Sequence, residues 1–193
     1  MDLGASERRA PGRPRDQEAM RAIHRAAIEV LKEGGYGGLT IEKIASRAGV
    51  GRQTIYRWWP SKADVVLDAM NASAEENVVA DDLAGFVRAT YTDRGAARML
   101  SGLMAEAQLD PDFAKRFRAA FLDRRREILI EIAAKELPPG VDLEVVADMV
   151  FGPLWYLMLT RPELLDVSYA ENVLAAISGI EKLPKAESPR SPD

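Results

Sequence analysis

The side chains best suited to act on a partner cluster at Arg52, Gln53, Thr54, Tyr56, Arg57, Trp58 and Lys62, with Thr40 a little upstream. If residues 52–59 form a helix with Ile55 turned inward, then at about 100° per residue Gln53 and Arg57 point the opposite way, flanked by Thr54 and Tyr56. That face suits the base edges of a DNA major groove. An arginine donates a fork to guanine, a glutamine reads adenine, a threonine methyl meets thymine, and a tyrosine reaches a phosphate or a base edge. Arg52 and Trp58 fall at intermediate angles and suit backbone contact or packing. Thr40 and the pair Ser61 and Lys62 stand where helices begin, and free amides there attract phosphate. Taken singly, each residue has a bland explanation as cap, core or solvated charge. Taken together at this spacing, they favour DNA.

Such a face needs a scaffold, and the flanking sequence supplies one. Met20, Ile23, Ala27, Val30 and Leu31 recur at helical spacing from Asp16 on, until Gly34 and Gly35 stop the run. Thr40 then caps a helix with Ile41, Ile44, Ala45 and Ala48 on one side. Gly49 breaks it, Arg52 to Trp59 form a second short helix, and Ser61 with Asp64 opens a longer one through a capping-box-like pair. Helix, glycine turn and helix between residues 40 and 59 have the spacing of a helix-turn-helix, with Ala45 small enough for the crossing and Gly49 permissive at the turn. Val50 and Ile55 fill the wedge with Ile44 and Leu39.

The remaining sequence predicts helices over 82–91, 95–108, 110–137, 142–160 and 168–183, punctuated by Pro111, Pro138-Pro139-Gly140 and Pro162. No strand pattern of convincing length interrupts them, so the fold class is all-α. Pro153 within 142–160 should free a carbonyl near Met149 and bend the axis, opening space beside Trp155.

Composition closes other routes. The 193 residues include no cysteine and a single histidine, His24, which excludes disulfides, a thiolate nucleophile and a multi-histidine metal site. Neither a cofactor nor a metal is expected. The first twenty residues lack the apolar block of a signal peptide, and the apolar stretch 149–159 is short for a membrane span, so a cytoplasmic protein with no membrane partner is expected. Residues 1–62 carry 12 Lys and Arg against 7 Asp and Glu, a net of +5, whereas 63–193 carry 14 against 23, a net of −9. A basic head on an acidic body is the division expected when only the head meets phosphate.

The segment 39–64, Leu-Thr-Ile-Glu-Lys-Ile-Ala-Ser-Arg-Ala-Gly-Val-Gly-Arg-Gln-Thr-Ile-Tyr-Arg-Trp-Trp-Pro-Ser-Lys-Ala-Asp, resembles the DNA-binding signature of TetR/AcrR-type transcriptional regulators. The likeness extends over about 16–70 and rests on Gly49-Val50, Thr54-Ile55-Tyr56 and Lys62. It implies an all-helical homodimer with a three-helix head and a larger ligand-binding and dimerisation body. It further implies repression of double-stranded operator DNA, relieved by a small apolar or amphipathic molecule. The family's DNA contacts would fall on Thr40, Arg52, Gln53, Thr54, Tyr56, Trp58 and Lys62, Trp58 departing from the commoner His or Phe. Arg13 and Arg15, in a basic arm, resemble extensions that enter the minor groove.

The expected organisation is therefore a flexible arm (1–15), a helix-turn-helix head (16–62), a helical body (63–183) and a disordered tail (184–193). Within the body, Phe86, Met99, Leu103, Met104, Phe117, Phe121, Trp155 and Tyr156 are candidates to line a ligand cavity, since large apolar walls with few polar groups make such pockets. The resemblance places the dimer interface on the last two helices. Val145, Met149, Leu154 and Leu157 recur at helical spacing there, as do Val173, Leu174, Ile177 and Ile180, too apolar to be left wet. Two rivals remain: a constitutive helix-turn-helix DNA binder with no ligand, and a small helical enzyme using Glu106 and Asp110 near the body cavity.

Overall fold

The computed structural model describes residues 13–76 and 80–179, and among these the regular structure is entirely helical. Ten α-helices follow in order: α1 (Arg13–Gly38), α2 (Ile41–Ala48), α3 (Arg52–Tyr56), α4 (Lys62–Glu76), α5 (Leu83–Thr92), α6 (Arg94–Leu109), α7 (Pro111–Phe117), α8 (Asp123–Glu136), α9 (Leu143–Thr160) and α10 (Val167–Gly179). A π-helical turn, Arg118–Leu122, joins α7 to α8, and a 3₁₀ turn, Pro162–Leu164, follows α9. The chain forms two compact units, with the boundary between Ala69 and Met70 inside α4.

In the first unit, caps decide where helices stop. α1 begins at Arg13, so part of the stretch expected as an arm is helical; residues 1–12 lie outside the described residues. α1 kinks at Gly35, whose φ of 63° and ψ of −178° no helix accommodates. Thr40 is extended, and its hydroxyl accepts the Lys43 amide at 3.3 Å, which starts α2. Gly49 ends α2 in the left-handed region (φ 67°), where the Val50 amide returns to the Ala45 carbonyl at 3.0 Å and the Gly49 amide to Ser46 at 3.4 Å. α3 is shorter than the sequence predicts: regular helix ends at Tyr56, and the Trp58 and Trp59 amides both turn back to the Ile55 carbonyl at 3.0 Å.

The core beneath these helices holds Ile23, Ala27, Leu39, Ile44 and Ile55, each fully buried. Burying such a side chain is worth roughly 1.5–3 kcal/mol against leaving it in water. Ala63, Val65 and Val66 at the start of α4 are equally buried, which is why the unit runs past residue 62.

The second unit is built on aromatic and aliphatic packing. Phe113, Phe117 and Phe121 recur every four residues and stack along one ridge, with centroids 5.9 Å apart in each successive pair, and the ridge runs from α7 into the π-helical turn. The sequence predicted a plain helix here; the π turn carries no signature in residue type. Tyr91 of α5 donates from its buried hydroxyl to the Val150 carbonyl of α9 at 2.7 Å and stacks on Tyr169 of α10, 5.7 Å between centroids. Burial pushes the Tyr91 phenol well above its ordinary range, with nearby Tyr169 adding to the shift. Helix α9 is long and apolar enough to cross a membrane by length and composition alone. Its apolarity has a local use, however: Val146, Ala147, Val150, Leu154, Leu157 and Met158 pack into the body. On its flank, Glu144 and Asp148 bind Arg126, at 2.6 and 2.7 Å.

Candidate nucleic-acid interface

The α2–α3 motif presents one outward polar face. With Ile55 at zero exposure, Gln53, Tyr56 and Arg57 stand exposed and Thr54 is half-buried. Arg57 lies just past the last regular turn of α3, and its guanidinium rests over the Trp58 ring at 4.9 Å. Trp58 is half-buried and meets Trp59 edge to face at 5.4 Å, which makes it part platform and part packing.

Positively charged neighbours are held in place. Arg52 pairs with Glu42 at 3.0 Å across the turn, and this bond together with a backbone hydrogen bond, the larger effect, holds the Glu42 carboxyl below its ordinary value. Both partners are exposed, so the pair contributes little to stability. Arg47 grips Glu33 with two bonds of 2.7 and 2.8 Å, tying α2 to α1. Lys62 lies over the Tyr36 ring and donates to the Tyr36 and Leu39 carbonyls at 3.4 and 3.3 Å, so the start of α4 is pinned to the α1–α2 junction. Thr40, half-buried, is occupied by its cap. Arg13 and Arg15 fall in the first turn of α1, and their side chains lie outside the described residues.

A half-buried carboxylate network braces the motif from behind. Asp68 of α4 receives His24 Nε2 and Trp59 Nε1, both at 3.0 Å, on one oxygen. The His24 contact first, and the indole as well, hold the Asp68 carboxyl below its usual value. Ser61 Oγ donates to Asp64 at 2.6 Å and receives the Asp64 amide at 3.3 Å, the reciprocal cap that the Ser61 and Asp64 spacing predicts. Asp68 was not singled out by sequence, where it falls at helical spacing with Asp64 and Asn71 and nothing sets it apart.

The second unit holds a cavity of about 1020 Å³. Of the candidates, Phe86, Met99, Phe121 and Trp155 stand in its wall. Leu103, Met104, Phe117 and Tyr156 do not: Leu103 and Phe117 are sealed in the core, and Tyr156 points outward at 55% exposure. Glu106 and Asp110 do not line it either, and Asp110 instead caps α7 through the Asp112 and Phe113 amides. Sequence reasoning missed Arg118 and Arg125, both in the wall.

The expected interface residues also divide. Leu154, Leu157, Val173 and Ile177 are buried within the protomer, on the inner face of α9 and α10. Val145 is exposed, Met149 and Leu174 are half-buried, and Ile180 lies outside the described residues. Tyr156, Leu159 (64% exposed) and Val167 complete the outward apolar set that sequence periodicity alone could not separate from the inner one.

An all-helical chain with a capped helix-turn-helix and a cavity-bearing helical unit is the architecture of a bacterial transcriptional regulator. Residues 23–69 match the family model of bacterial regulatory proteins of the tetR family, and residues 75–177 match that of the tetracyclin repressor-like C-terminal domain. The uncharacterized HTH-type transcriptional regulator YdeS of Bacillus subtilis is 34% identical, over 92% of this chain and 97% of its own length. Among solved structures, the TetR family regulator SCO0332 superposes with a TM-score of 0.68 at 25% identity, over 87% of this chain and all of that one. Thermus thermophilus FadR, a repressor solved with lauroyl-CoA, superposes at 0.62 with 19% identity, over 89% of this chain and all of its own. The chain belongs to the TetR family: it is a DNA-binding, helix-turn-helix transcriptional regulator with a repressor-type body.

Proposed function

We propose that the protein is a homodimeric repressor that sets two α3 faces on successive major grooves of its operator and leaves it when a small apolar or amphipathic molecule enters the body cavity. The observation that carries this reading is the double use of α4. Ala63, Val65 and Val66 belong to the core of the head, while Met70, Asn71 and Ser73 of the same helix belong to the cavity wall. A ligand that fits one setting of that helix better than another therefore acts on the DNA-reading unit through covalent continuity, and it needs only unequal affinity for the two settings. The solved complex of Thermus FadR with lauroyl-CoA supports this fold as a ligand carrier.

Within the head, Gln53, Thr54, Tyr56 and Arg57 read bases, while Thr40, Arg52, Trp58 and Lys62 contact the sugar-phosphate backbone; Arg13 and Arg15 serve the adjacent minor groove. Two copies associate through the outward stripe of Val145, Tyr156 and Leu159 on α9 with Val167 and Leu174 on α10. Selection of bound fragments from the source genome tests the reading. The expected product is a dyad-symmetric site with half-site centres about 34–36 Å apart. Recovery of sequences no different from random duplex would contradict it.

A further inference from the structure

Arg47, Arg52, Arg88, Arg124 and Arg126 each pair with a glutamate or aspartate. Arg125, in the cavity wall, does not. Its Nη2 donates to Thr90 Oγ1 at 3.1 Å, its guanidinium lies 4.8 Å from the centre of the Phe86 ring, and no described carboxylate comes within ion-pair distance. Burial pushes its pKa down, and Asp93 only partly opposes this.

Half-burial strips part of a cation's hydration, and with no acid within ion-pair distance that loss is only partly offset. Thr90 and the ring of Phe86 satisfy one donor and one face of the guanidinium, leaving further N–H groups in the planar fork that matches carboxylate and phosphate. Of the three aspartates in the same wall, Asp93 caps α6 through the Ala96 amide at 2.8 Å, Asp148 is held by Arg126, and Asp123 is exposed. Arg118, also in the wall and without a described acid partner, adds positive charge from the π-helical turn. π turns concentrate at functional sites. The same wall also carries apolar side chains, among them Phe121, Leu154, Trp155 and Met158. At about 1020 Å³ the space is far larger than an inorganic anion needs.

We infer that the cavity selects an amphiphile with an anionic head, carboxylate or phosphate, that Arg125 holds the head, and that the Phe121 and Trp155 side covers the tail. This inference rests on the cavity being the effector site, and it adds the sign of the effector's charge and the residue that reads it. A quaternary ammonium of the same size is disfavoured, since it would bring a second cation beside Arg125.

Calorimetric titration of the full chain with four probes of equal tail length tests this: dodecanoate, dodecyl phosphate, dodecanol and dodecyltrimethylammonium, each kept below its micelle-forming concentration. The two anions should bind about tenfold or more tightly than the neutral and cationic probes, the worth of one charge-assisted hydrogen bond. Whichever anion binds better identifies the head group. Arg125→Gln should bring the anions to the level of dodecanol while leaving dodecanol itself within about twofold, and Arg125→Lys should keep part of the preference. Equal binding of all four probes, or an anion preference that survives in Arg125→Gln, would overturn the assignment while the cavity stood as a ligand site. Binding of none of them would overturn the assignment and the effector reading together.

Discussion

Around the recognition motif, charge is kept outside and largely paired: Arg47 with Glu33, Arg52 with Glu42, Lys62 on two carbonyls. In the body the Arg125 guanidinium stands in the cavity wall with no described carboxylate within ion-pair distance. The two regions bury aliphatic side chains alike, so the contrast lies in what each leaves unfinished. The head presents an outward polar face at Gln53, Tyr56 and Arg57, on a motif shaped by the Gly49 turn and the Thr40 cap. The body holds a cavity of about 1020 Å³ with both charged and apolar side chains in its wall. On the proposed reading one region works by presenting groups and the other by receiving them, and substitutions should separate the two roles.

The largest separation is expected on the outer stripe of α9. Tyr156→Glu with Leu159→Glu, both exposed in the protomer, should leave helix content unchanged, yield monomers in sedimentation and lower operator affinity about a hundredfold or more by removing the second half-site from the complex. A dimer that persists would move the interface elsewhere. Next in size is Ile55→Ala. Ile55 is fully buried between α2 and α3, and its truncation should cost about 2–5 kcal/mol of head stability in denaturant titrations followed by Trp58 and Trp59 fluorescence. A loss under about 1 kcal/mol would mean that the wedge collapses freely.

How far the sequence alone carries differs between the two regions for a physical reason. In the head, local chemistry fixes geometry: a left-handed glycine, an N-cap and a capping box each have one structural consequence, so the outward set at Gln53, Tyr56 and Arg57 was readable from angle arithmetic. The shorter extent of α3 was not, because its final turn is decided by Trp59 packing beside His24 and bonding to Asp68. In the body, helix limits at Pro111, Pro138 and Pro162 were legible, yet α9 and α10 are apolar on both sides. Periodicity could not tell Leu157, buried, from Leu159, exposed. For the same reason Phe117 was a candidate for the cavity when it belongs to the aromatic ridge, and Arg125 was passed over because nothing in its immediate sequence, Asp-Arg-Arg-Arg-Glu, distinguishes it from solvated neighbours.

The central claim is that α3 and the residue following it read bases directly. Its most direct test is to measure the affinities of wild type, Gln53→Ala and Arg57→Ala for the selected operator and for random duplex at one fixed salt concentration. Each substitution should weaken operator binding by about 1–3 kcal/mol, relax preference at one base position of each half-site, and leave both random-duplex affinity and dimerisation unchanged. Operator binding equal to wild type in both variants, or equal loss on operator and random duplex, would contradict base reading by this face.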